Sequence, residues 1–392
     1  MKRWIVPLLA GQIALLLPAA YWMFLTLVGL LHRAPPVEQG RPNQTRLAVL
    51  VPAHDEEAQL PRLLNSLGSN DYPRERYDVF VVADNCTDNT AAVARGWGAS
   101  VHERHDAERI GKGYALEWLL DQIRDNGHIY DGYVFLDADC EVSSNFLSAM
   151  SERLAAGEPA VQAYYTVADP FTSSVSALRY AAMVLKHYTR PRGRAVLGLP
   201  CGLFGTGMAF SKEIIQRHGW SAHSLTEDLE YQLRLADEDT YVIFAPEASV
   251  TSPMPSSFSQ ARSQNVRWER GRLRLILRWG PSLIRDAILR RAFRKLDIFS
   301  EQAAPPLSVI AFSQFMLVAI AMLFRIKPLA LLSLSSTTCL AIHVVLGLIS
   351  AKAPARTYLA LLSAPVFVLW KLQLYAIALL PGKERWIRTR RS

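Results

Sequence analysis

The 392-residue sequence contains only four cysteines, Cys86, Cys140, Cys201 and Cys339, and no two of them form a Cys-x-x-Cys pair. This scarcity and spacing argue against a disulfide-stapled scaffold or a cysteine zinc site, and they predict reduced thiols. Charge is also missing in one place, because no Asp, Glu, Lys or Arg occurs from Trp4 to Leu31. A bilayer-spanning helix needs about 20 apolar residues, so this stretch predicts an uncleaved membrane anchor rather than a secretory signal peptide.

The sequence also lacks internal repeats, low-complexity segments and nucleic-acid-binding motifs, although its net charge is +8. The excess of basic residues is concentrated between Arg262 and Lys295, directly before three apolar runs at about 307–324, 329–350 and 358–380. Basic residues beside membrane spans meet anionic lipid headgroups and mark the cytoplasmic side. The charge therefore predicts contact with membrane lipids and no nucleic-acid partner.

Between the two apolar regions, apolar strands alternate with helical patterns. Strands are predicted at 47–51, 77–83, 99–102 and 133–136, and helices at 57–67, 90–97 and 113–124. This alternation predicts an α/β fold with a mostly parallel sheet covered on both faces. In such sheets ligands bind outside the carboxyl ends of the strands. Polar clusters stand at those ends: His54-Asp55-Glu56, Asp84-Asn85 and Asp137-Ala138-Asp139.

The pattern changes after residue 150. Residues 171–186 have apolar side chains on one face, which suits a helix lying against the membrane. Residues 261–295 carry Arg on one side and Leu, Ile and Trp on the other, which predicts a basic amphipathic helix in the headgroup plane. Gly280-Pro281 predicts a break within it.

Three of the polar clusters have both a structural and a chemical interpretation. Asp137 and Asp139 can hold a hard cation together with phosphate oxygens, or they belong to an ordinary turn after a strand. Asp84 can accept hydrogen bonds from a nucleotide base, whereas the following Asp88 suits helix capping. Lys112, between two glycines, is not part of a P-loop, because the required Gly-x-x-x-x-Gly-Lys-Ser/Thr pattern is absent.

A fourth cluster opens the helix predicted to run to residue 235. Ser224 and Glu227 have the spacing of a capping box. Asp228 is not needed for that box, and a carboxylate in a cleft can take a proton from an attacking hydroxyl group.

A fifth motif lies on the basic amphipathic stretch, where Gln264, Arg267 and Trp268 share one helical face. Arg can hold a diphosphate through two parallel hydrogen bonds, and Trp offers a flat face to a sugar ring. A helix facing lipid headgroups accounts for Arg267 and Trp268 but leaves Gln264 unexplained.

Taken together and in this order, the motifs resemble those of glycosyltransferase family 2, specifically its membrane-integrated synthases. These enzymes share a D-x-D, a T-E-D and a Q-x-x-R-W signature, which match Asp137–Asp139, Thr226–Asp228 and Gln264–Trp268. Val51–Glu57 looks like the first nucleotide-binding segment of the family, with His54 where an aromatic residue is common. The resemblance covers about 46–268 closely and the membrane parts by their layout.

The resemblance implies a GT-A fold, a Rossmann-like α/β domain with amphipathic interface helices and about four transmembrane helices. It implies Mg²⁺ or Mn²⁺ as cofactor, held by Asp137 and Asp139, and a catalytic set of Asp228, Glu227 and Asp139. The implied nucleotide-sugar contacts are His54, Glu56, Asp84, Lys112, Asp137, Gln264, Arg267 and Trp268. The implied acceptor region comprises Gly205, Thr206, Gly207 and Trp268.

The function implied is inverting transfer from a UDP-sugar, with Asp228 as general base. The acceptor stays open. The full Gln264–Trp268 signature favours a growing polysaccharide made by a processive synthase. The alternative is transfer of a single sugar to a membrane lipid, as in ceramide glucosylation, because four spans are few for a pore. A non-enzymatic nucleotide-sugar-binding subunit is disfavoured, because every expected catalytic carboxylate is present.

The expected organisation is an anchor at 1–32, a catalytic domain at 46–255, interface helices at 256–304, a membrane bundle at 305–381 and a basic tail at 382–392. We expect an integral protein of a bacterial inner membrane with its catalytic domain in the cytoplasm. One observation conflicts with this topology, because three spans after the catalytic domain place the basic tail outside, against the positive-inside rule. Pro365 in the last apolar run is one reason for that run not to cross fully.

Overall fold

The computed structural model describes residues 2–32, 44–255 and 257–380. The predicted basic tail at 382–392 and most of the linker before the first strand lie outside the described residues. Each of the four cysteines is unpaired, as the sequence predicts.

The segment between the two apolar regions of the chain is built on one eight-stranded sheet. Its strands are β1 (Leu47–Ala53), β2 (Tyr77–Asp84), β3 (Ser100–Arg104), β4 (Gly132–Phe135), β5 (Glu141–Val142), β6 (Ala160–Val167), β7 (Met208–Ser211) and β8 (Val242–Ser252). They are arranged in the order β3-β2-β1-β4-β7-β6-β8-β5. The half formed by β3, β2, β1 and β4 is parallel, while β7 is antiparallel to both of its neighbours. The predicted mostly parallel sheet is confirmed.

Side chains of β1 show why both faces of this sheet are covered. Leu47, Val49 and Val51 belong to one buried apolar cluster, while Ala48 and Leu50 belong to a second on the opposite face. Alternate residues of a strand point to opposite faces, so a continuous apolar run needs an apolar layer on each side. Because β1 pairs in register with β2 and β4, the carboxyl ends of these strands lie side by side.

Helices connect and cover the strands. The chain begins with α1 (Lys2–Leu31), and the sheet is flanked by α2 (Leu60–Gly68), α3 (Thr90–Gly96), α4 (Lys112–Asp125), α5 (Phe146–Ala155), α6 (Ser174–Val184), α7 (Arg190–Val196), α8 (Lys212–His218) and α9 (Glu227–Asp237). A 3₁₀ turn at Arg74–Arg76 precedes β2, and a π-helical turn at Leu185–Thr189 joins α6 to α7. Such π turns in helical segments are frequent at functional sites.

The basic amphipathic segment forms α10 (Phe258–Leu289), followed by α11 (Phe293–Ala303). The break predicted at Gly280-Pro281 was wrong, because α10 continues through Pro281. Packing explains the continuity. Leu275 before the Gly-Pro pair and Leu283 after it lie in one buried cluster with Ile298 of α11. This shared contact holds both halves on one axis despite the hydrogen bond that proline removes.

The chain closes with α12 (Leu307–Leu323), α13 (Lys327–Ser350), α14 (Ala355–Ala360), a 3₁₀ turn (Leu361–Ser363) and α15 (Ala364–Leu379). Among the described residues, three helical segments are long and apolar enough to cross a bilayer: 5–31, 327–350 and 355–379. A fourth candidate arises if α11 and α12, bent by 70° at their junction, are taken as one span. The 3₁₀ turn beside Pro365 interrupts the last segment at the place that the sequence indicates.

Buried ion pairs join the sheet region to these apolar helices. On α7, Arg190 donates to Glu301 at 2.7 Å, and Arg194 contacts Glu301 at 3.0 Å and Asp297 at 3.3 Å. The Arg190 guanidinium also lies 4.6 Å from the ring centroid of Trp22 on α1.

At the crossing of α1 and α7 the two backbones touch. A Cβ added to Gly29 on α1 would lie 3.0 Å from the backbone nitrogen of Gly193 on α7. The first helix of the chain therefore packs directly on α7, the helix that follows the π-helical turn.

Candidate active site

A cleft of about 230 Å³ opens where β4 ends and α4, α9 and α10 converge. Its lining includes nearly all residues of four sequence motifs: Gly111, Lys112 and Gly113; Asp137 and Asp139; Glu227 and Asp228; and Gln264, Arg267 and Trp268. The sequence separates these motifs by up to about 150 positions. The fold brings them together as predicted, because strand ends and helix starts meet at this edge of the sheet.

Lys112 is the centre of the polar contacts in the cleft. Its Nζ lies 2.7 Å from Asp137 Oδ1 and 3.3 Å from Glu227 Oε1, and it donates to the Gly205 carbonyl at 2.5 Å. Burial opposes the charge on Lys112, but the two carboxylates outweigh this effect and raise its pKa. Lys112 is the first residue of α4, and Gly111 before it has a φ of 130°, a backbone conformation that suits glycine. One ammonium thus ties the D-x-D motif to the T-E-D motif.

Asp137 and Asp139 follow β4 directly and both line the cleft. The backbone N–H of Asp137 donates to the Thr206 hydroxyl at 3.0 Å, while Asp139 is buried. The residues fit a hard divalent cation, because four carboxylates line the cleft against the two cationic side chains Lys112 and Arg267. Oxygen donors in excess over positive charge are what Mg²⁺ or Mn²⁺ requires.

Asp228 lies in the first turn of α9, and its Oδ1 accepts a hydrogen bond from the backbone N–H of Leu229 at 2.8 Å. Burial, together with the neighbouring charge of Glu227, raises the pKa of Asp228 to about 7. A carboxylate with a pKa near the working pH is suited to general-base chemistry.

The predicted capping box at the start of α9 is absent. Thr226 is the N-cap residue and makes no side-chain capping bond. The backbone N–H groups of His223 and Ser224 instead donate to Glu230 Oε2, at 3.2 and 2.9 Å. The capping interpretation was wrong because Glu230, one turn into the helix, satisfies the preceding loop. This leaves Glu227 to contact Lys112 in the cleft.

The Gly205-Thr206-Gly207 turn forms one wall of the cleft and supports its floor. Gly205 and Gly207 have φ values of 86° and 67°, which favour glycine. A Cβ at Gly207 would also lie 2.7 Å from a methyl group of Val250. Thr206 is fully buried and positions Asp137. Of the three, only Gly205 lines the cleft.

Gln264, Arg267 and Trp268 lie on one face of α10 and cover the cleft. Gln264 Oε1 accepts a hydrogen bond from Arg179 at 3.1 Å. Burial lowers the pKa of Arg267 against the opposing charge of Glu227, and its Nε has no hydrogen-bond partner among the described residues. Trp268 is 40% exposed, which leaves its ring face available to a ligand.

His54, Glu56 and Asp84 are not part of the lining of this cleft. They lie at the adjacent ends of β1 and β2, where a His54 ring nitrogen contacts the Asp84 carbonyl at 2.7 Å. Asp84 is 6% exposed and forms an ion pair with Arg104 at 2.6 Å. Burial nevertheless raises the pKa of Asp84. These residues form a separate polar group at the neighbouring strand ends.

A possible metal-binding group also occurs at these strand ends. One ligand atom each from Asp55, Cys86 and Asp88 lie within 4.8 Å of one another. Burial raises the pKa of the Cys86 thiol, which disfavours the thiolate that a metal would need. The chemistry of the donor set therefore favours Asp137 and Asp139 as the hard-cation site.

Sequence reasoning missed several residues of the cleft wall, namely Tyr165, Phe204, His223 and Met254. Phe204 stacks on His187 of the π-helical turn with ring centroids 4.0 Å apart, and the same imidazole stacks on Tyr165 at 5.7 Å. A tyrosine at a strand end and a histidine in an amphipathic helix give no local signal of this stack. Tertiary contacts alone create it.

A family model described as glycosyltransferase-like family 2 matches residues 42–271, which is more than half of the chain. The chain belongs to this family. The family expected from the motifs is confirmed.

Curated relatives of this glycosyltransferase include two bacterial proteins. The probable glycosyltransferase YdaM of Bacillus subtilis is 24% identical over 279 residues, which are 66% of this chain and 64% of that protein. A beta-monoglucosyldiacylglycerol synthase of Synechocystis is 28% identical over 223 residues, which are 52% of this chain and 43% of that protein. The chain thus spans less than two thirds of the length of either relative.

A similar solved structure is a mannosyltransferase from Pyrobaculum calidifontis in complex with GDP-mannose and Mn²⁺. The TM-score is 0.55 at 18% identity, and the similarity covers 95% of both chains. This similarity confirms the GT-A fold that the family resemblance implies.

Proposed function

We propose that this glycosyltransferase transfers a single sugar from a UDP-sugar to a hydroxyl group of a membrane lipid, with inversion at the anomeric carbon. The observation that carries the proposal is the convergence of Lys112, Asp137, Asp139 and Asp228 beneath Gln264–Trp268 in one cleft. One side of this cleft is rich in groups that bind a diphosphate, and the other contains a base with raised pKa. Direct displacement needs these two features, because the leaving diphosphate must be stabilised and the acceptor hydroxyl must lose its proton.

Donor binding is assigned to the Lys112 side of the cleft. Asp137 and Asp139 are positioned to hold Mg²⁺ or Mn²⁺, which when bound neutralises charge on the diphosphate. Lys112 and Arg267 supply two further positive charges beside the same oxygens. We assign the base and ribose of the nucleotide to the group formed by His54, Glu56 and Asp84 at the adjoining strand ends.

Transfer itself needs one proton acceptor. Asp228 takes the proton of the acceptor hydroxyl while the oxygen of that hydroxyl bonds to the anomeric carbon. The bond between the anomeric carbon and the diphosphate oxygen breaks, and the diphosphate leaves with the electron pair of that bond. Glu227 maintains the proton affinity of Asp228 and orients Lys112 at 3.3 Å. Gly205 lies beside the side chains of Asp228 and Lys112, because a Cβ on Gly205 would be 3.6 Å from Asp228 Oδ2 and 3.9 Å from Lys112 Nζ. The acceptor hydroxyl is placed in this gap.

Two observations favour a lipid over a polymer as acceptor. The cleft adjoins α10, and Arg270 of that helix donates to the Ile377 carbonyl on α15 at 3.2 Å, so the site lies next to a candidate span. The related Synechocystis protein is named for glucosylation of a diacylglycerol. The polysaccharide alternative retains the Gln264–Trp268 signature in its favour, with Trp268 available to stack on a sugar.

A reconstituted assay separates these functions. The full chain in lipid nanodiscs is given Mn²⁺, a panel of UDP-sugars and either diacylglycerol, ceramide or no added lipid. Release of UDP is followed, and products are sized by mass spectrometry. A product one sugar heavier than the lipid supports the proposal, and a high polymer without added lipid contradicts it. Asp139→Asn should abolish Mn²⁺-dependent turnover, whereas Asp121→Asn on the outer face of α4 should leave it unchanged.

A further inference from the structure

Three cationic side chains lie between the cleft and the apolar helices, and the donor chemistry above does not use them. They are Arg179 on α6, Lys186 in the π-helical turn and Lys371 on α15. Lys371 is close enough to Arg179 and Lys186 to interact electrostatically with both, and Lys186 interacts in the same way with Asp228. The set therefore extends from the proposed base towards the candidate span.

Arg179 is 7% exposed and has no carboxylate in an ion pair within the described part of the chain. Its Nη2 donates to Gln264 at 3.1 Å and contacts the Met254 sulfur at 3.7 Å, and both of these residues line the cleft. Its Nη1 is buried without a hydrogen-bond partner. A buried guanidinium with an unused N–H directly behind the cleft wall is costly unless an anion completes its contacts.

Within the described residues Lys186 forms no ion pair, although acidic groups lie near it. Glu301 pairs with Arg190 at 2.7 Å and Glu269 pairs with Arg272 at 2.9 Å, so these two carboxylates already have partners, and Asp228 is the third acidic group with which Lys186 interacts. The Lys186 side chain is accessible to water even though groups from α7, α10 and α11 surround it.

Lys371 contacts a neutral partner, the side-chain oxygen of Asn265 on α10. Two turns earlier on α10, Phe258 packs on Trp370 with ring centroids 4.8 Å apart, and Phe367 lies 5.6 Å from the same indole. The contact between α10 and α15 thus places an aromatic cluster directly beside the ammonium of Lys371, which lies 5.8 Å from the Trp370 ring centroid. Apolar surface next to a cation that forms no ion pair within the described residues suits an amphiphile with a negative headgroup.

We propose that Arg179, Lys186 and Lys371 bind a phosphate in the headgroup of the lipid acceptor, so that a hydroxyl on the same headgroup reaches Asp228. This inference rests on the proposed function and specifies its substrate class. Guanidinium and ammonium groups are the usual ligands of phosphate, and Arg179 offers a planar pair of donors. The donor diphosphate has its own cations on the Lys112 side, so the three groups remain for a second anion. The reaction is the same displacement, and the phosphate stays intact.

The test compares two lipids that both carry a free hydroxyl. Full-length protein in phosphatidylcholine nanodiscs, with Mn²⁺ and the accepted UDP-sugar, is given phosphatidylglycerol or diacylglycerol. We expect kcat/KM to be at least tenfold higher for phosphatidylglycerol. Soluble glycerol phosphate serves as the tail-free probe and should be a far poorer acceptor. Preference for diacylglycerol would overturn the inference and leave the proposed function standing, whereas polymer formation would overturn the proposed function itself. Efficient use of glycerol phosphate would overturn a lipid source for the phosphate.

Variants locate the effect. Arg179→Gln and Lys186→Gln should each lower the ratio of kcat/KM for the anionic over the neutral lipid by about 10- to 100-fold, the loss expected for a hydrogen bond to a charged group. The change should appear mainly in KM. Arg179→Lys keeps the charge and should restore part of the ratio, and UDP binding by each variant shows whether it has folded. Lys352→Gln, an exposed lysine after α13, should leave the ratio unchanged. Equal losses for both lipids in Arg179→Gln would contradict the assignment.

Discussion

Substitution of Asp228 by Asn should have opposite effects on catalysis and on stability. Burial and the charge of Glu227 raise the pKa of Asp228 from 3.8 to about 7. Because the folded-state pKa lies above the unfolded value, ionisation of this carboxyl destabilises the fold, and the cost grows as pH rises from about 4 to about 7. This rise in pKa corresponds to a loss of roughly 4 kcal/mol of stability at pH 8, an upper value because the cleft admits water.

Asn cannot accept the acceptor proton, so we expect transfer to fall by about 10² to 10⁴. At pH 8 the Asp228→Asn protein should melt at a higher temperature than the wild type. Near pH 5 the wild-type carboxyl is protonated, so the difference in Tm should vanish. Tryptophan fluorescence melts in nanodiscs at the two pH values measure stability, and UDP release in the presence of lipid measures transfer.

The wild-type pH profile gives a second readout of the same group. About a tenth of Asp228 is ionised at pH 6 and about nine tenths at pH 8, so kcat/KM should rise roughly ninefold between them. Glu227→Gln removes a charge that raises this pKa, and the midpoint should move to lower pH. Wild-type turnover in Asp228→Asn, or a variant less stable than the wild type at pH 8, would refute the assignment of the base.

Two further substitutions test the geometry of the cleft. Lys112→Gln removes the counter-ion shared by two carboxylates, and we expect UDP to bind at least tenfold more weakly in Mn²⁺, as measured by calorimetry. Gly207→Ala adds a methyl group where the backbone has positive φ and the neighbouring side chain leaves no space, so stability should fall by about 1–3 kcal/mol. Gly198→Ala is the matched control, because its φ of 65° is similar but no atom lies within 4 Å of the added Cβ. Unchanged UDP affinity in the first variant, or equal Tm losses in the two glycine variants, would contradict these expectations.

Much of the fold followed from local patterns. The run Leu47–Val51 is apolar at every position, which predicts a strand buried on both faces, and β1 has that environment. The position of Asp137 and Asp139 in the cleft also follows from the sequence, because residues after a parallel strand lie at the carboxyl edge of the sheet, where ligands bind. Lys112 was named from its motif, but its role as the link between Asp137 and Glu227 depends on a distance that no spacing encodes.

Other features depended on long-range packing. The Gly280-Pro281 pair reads as a break in isolation, yet contacts of Leu275 and Leu283 with α11 keep α10 continuous. The capping box failed because Glu230 competes for the same loop N–H groups. Arg179 looked like one more basic residue in an amphipathic helix. Its significance lies in a buried Nη1 without a hydrogen-bond partner and in the lack of an ion pair within the described residues, both of which depend on the folded surroundings.

The contact between Gly29 and Gly193 has a practical consequence for how this protein can be prepared. A fragment that begins after the first helix would lose the rings of Trp22 and Tyr21 that cover Arg190 and Arg194, although the ion pairs of both arginines with α11 would remain. It would also expose Ile310 and Leu340, the apolar residues that pack against α1. We therefore expect truncated versions to aggregate, and detergents that loosen α1 to inactivate the enzyme before the sheet unfolds. Extraction conditions should be chosen by measuring transfer activity, because solubility alone will not show whether α1 still packs on α7.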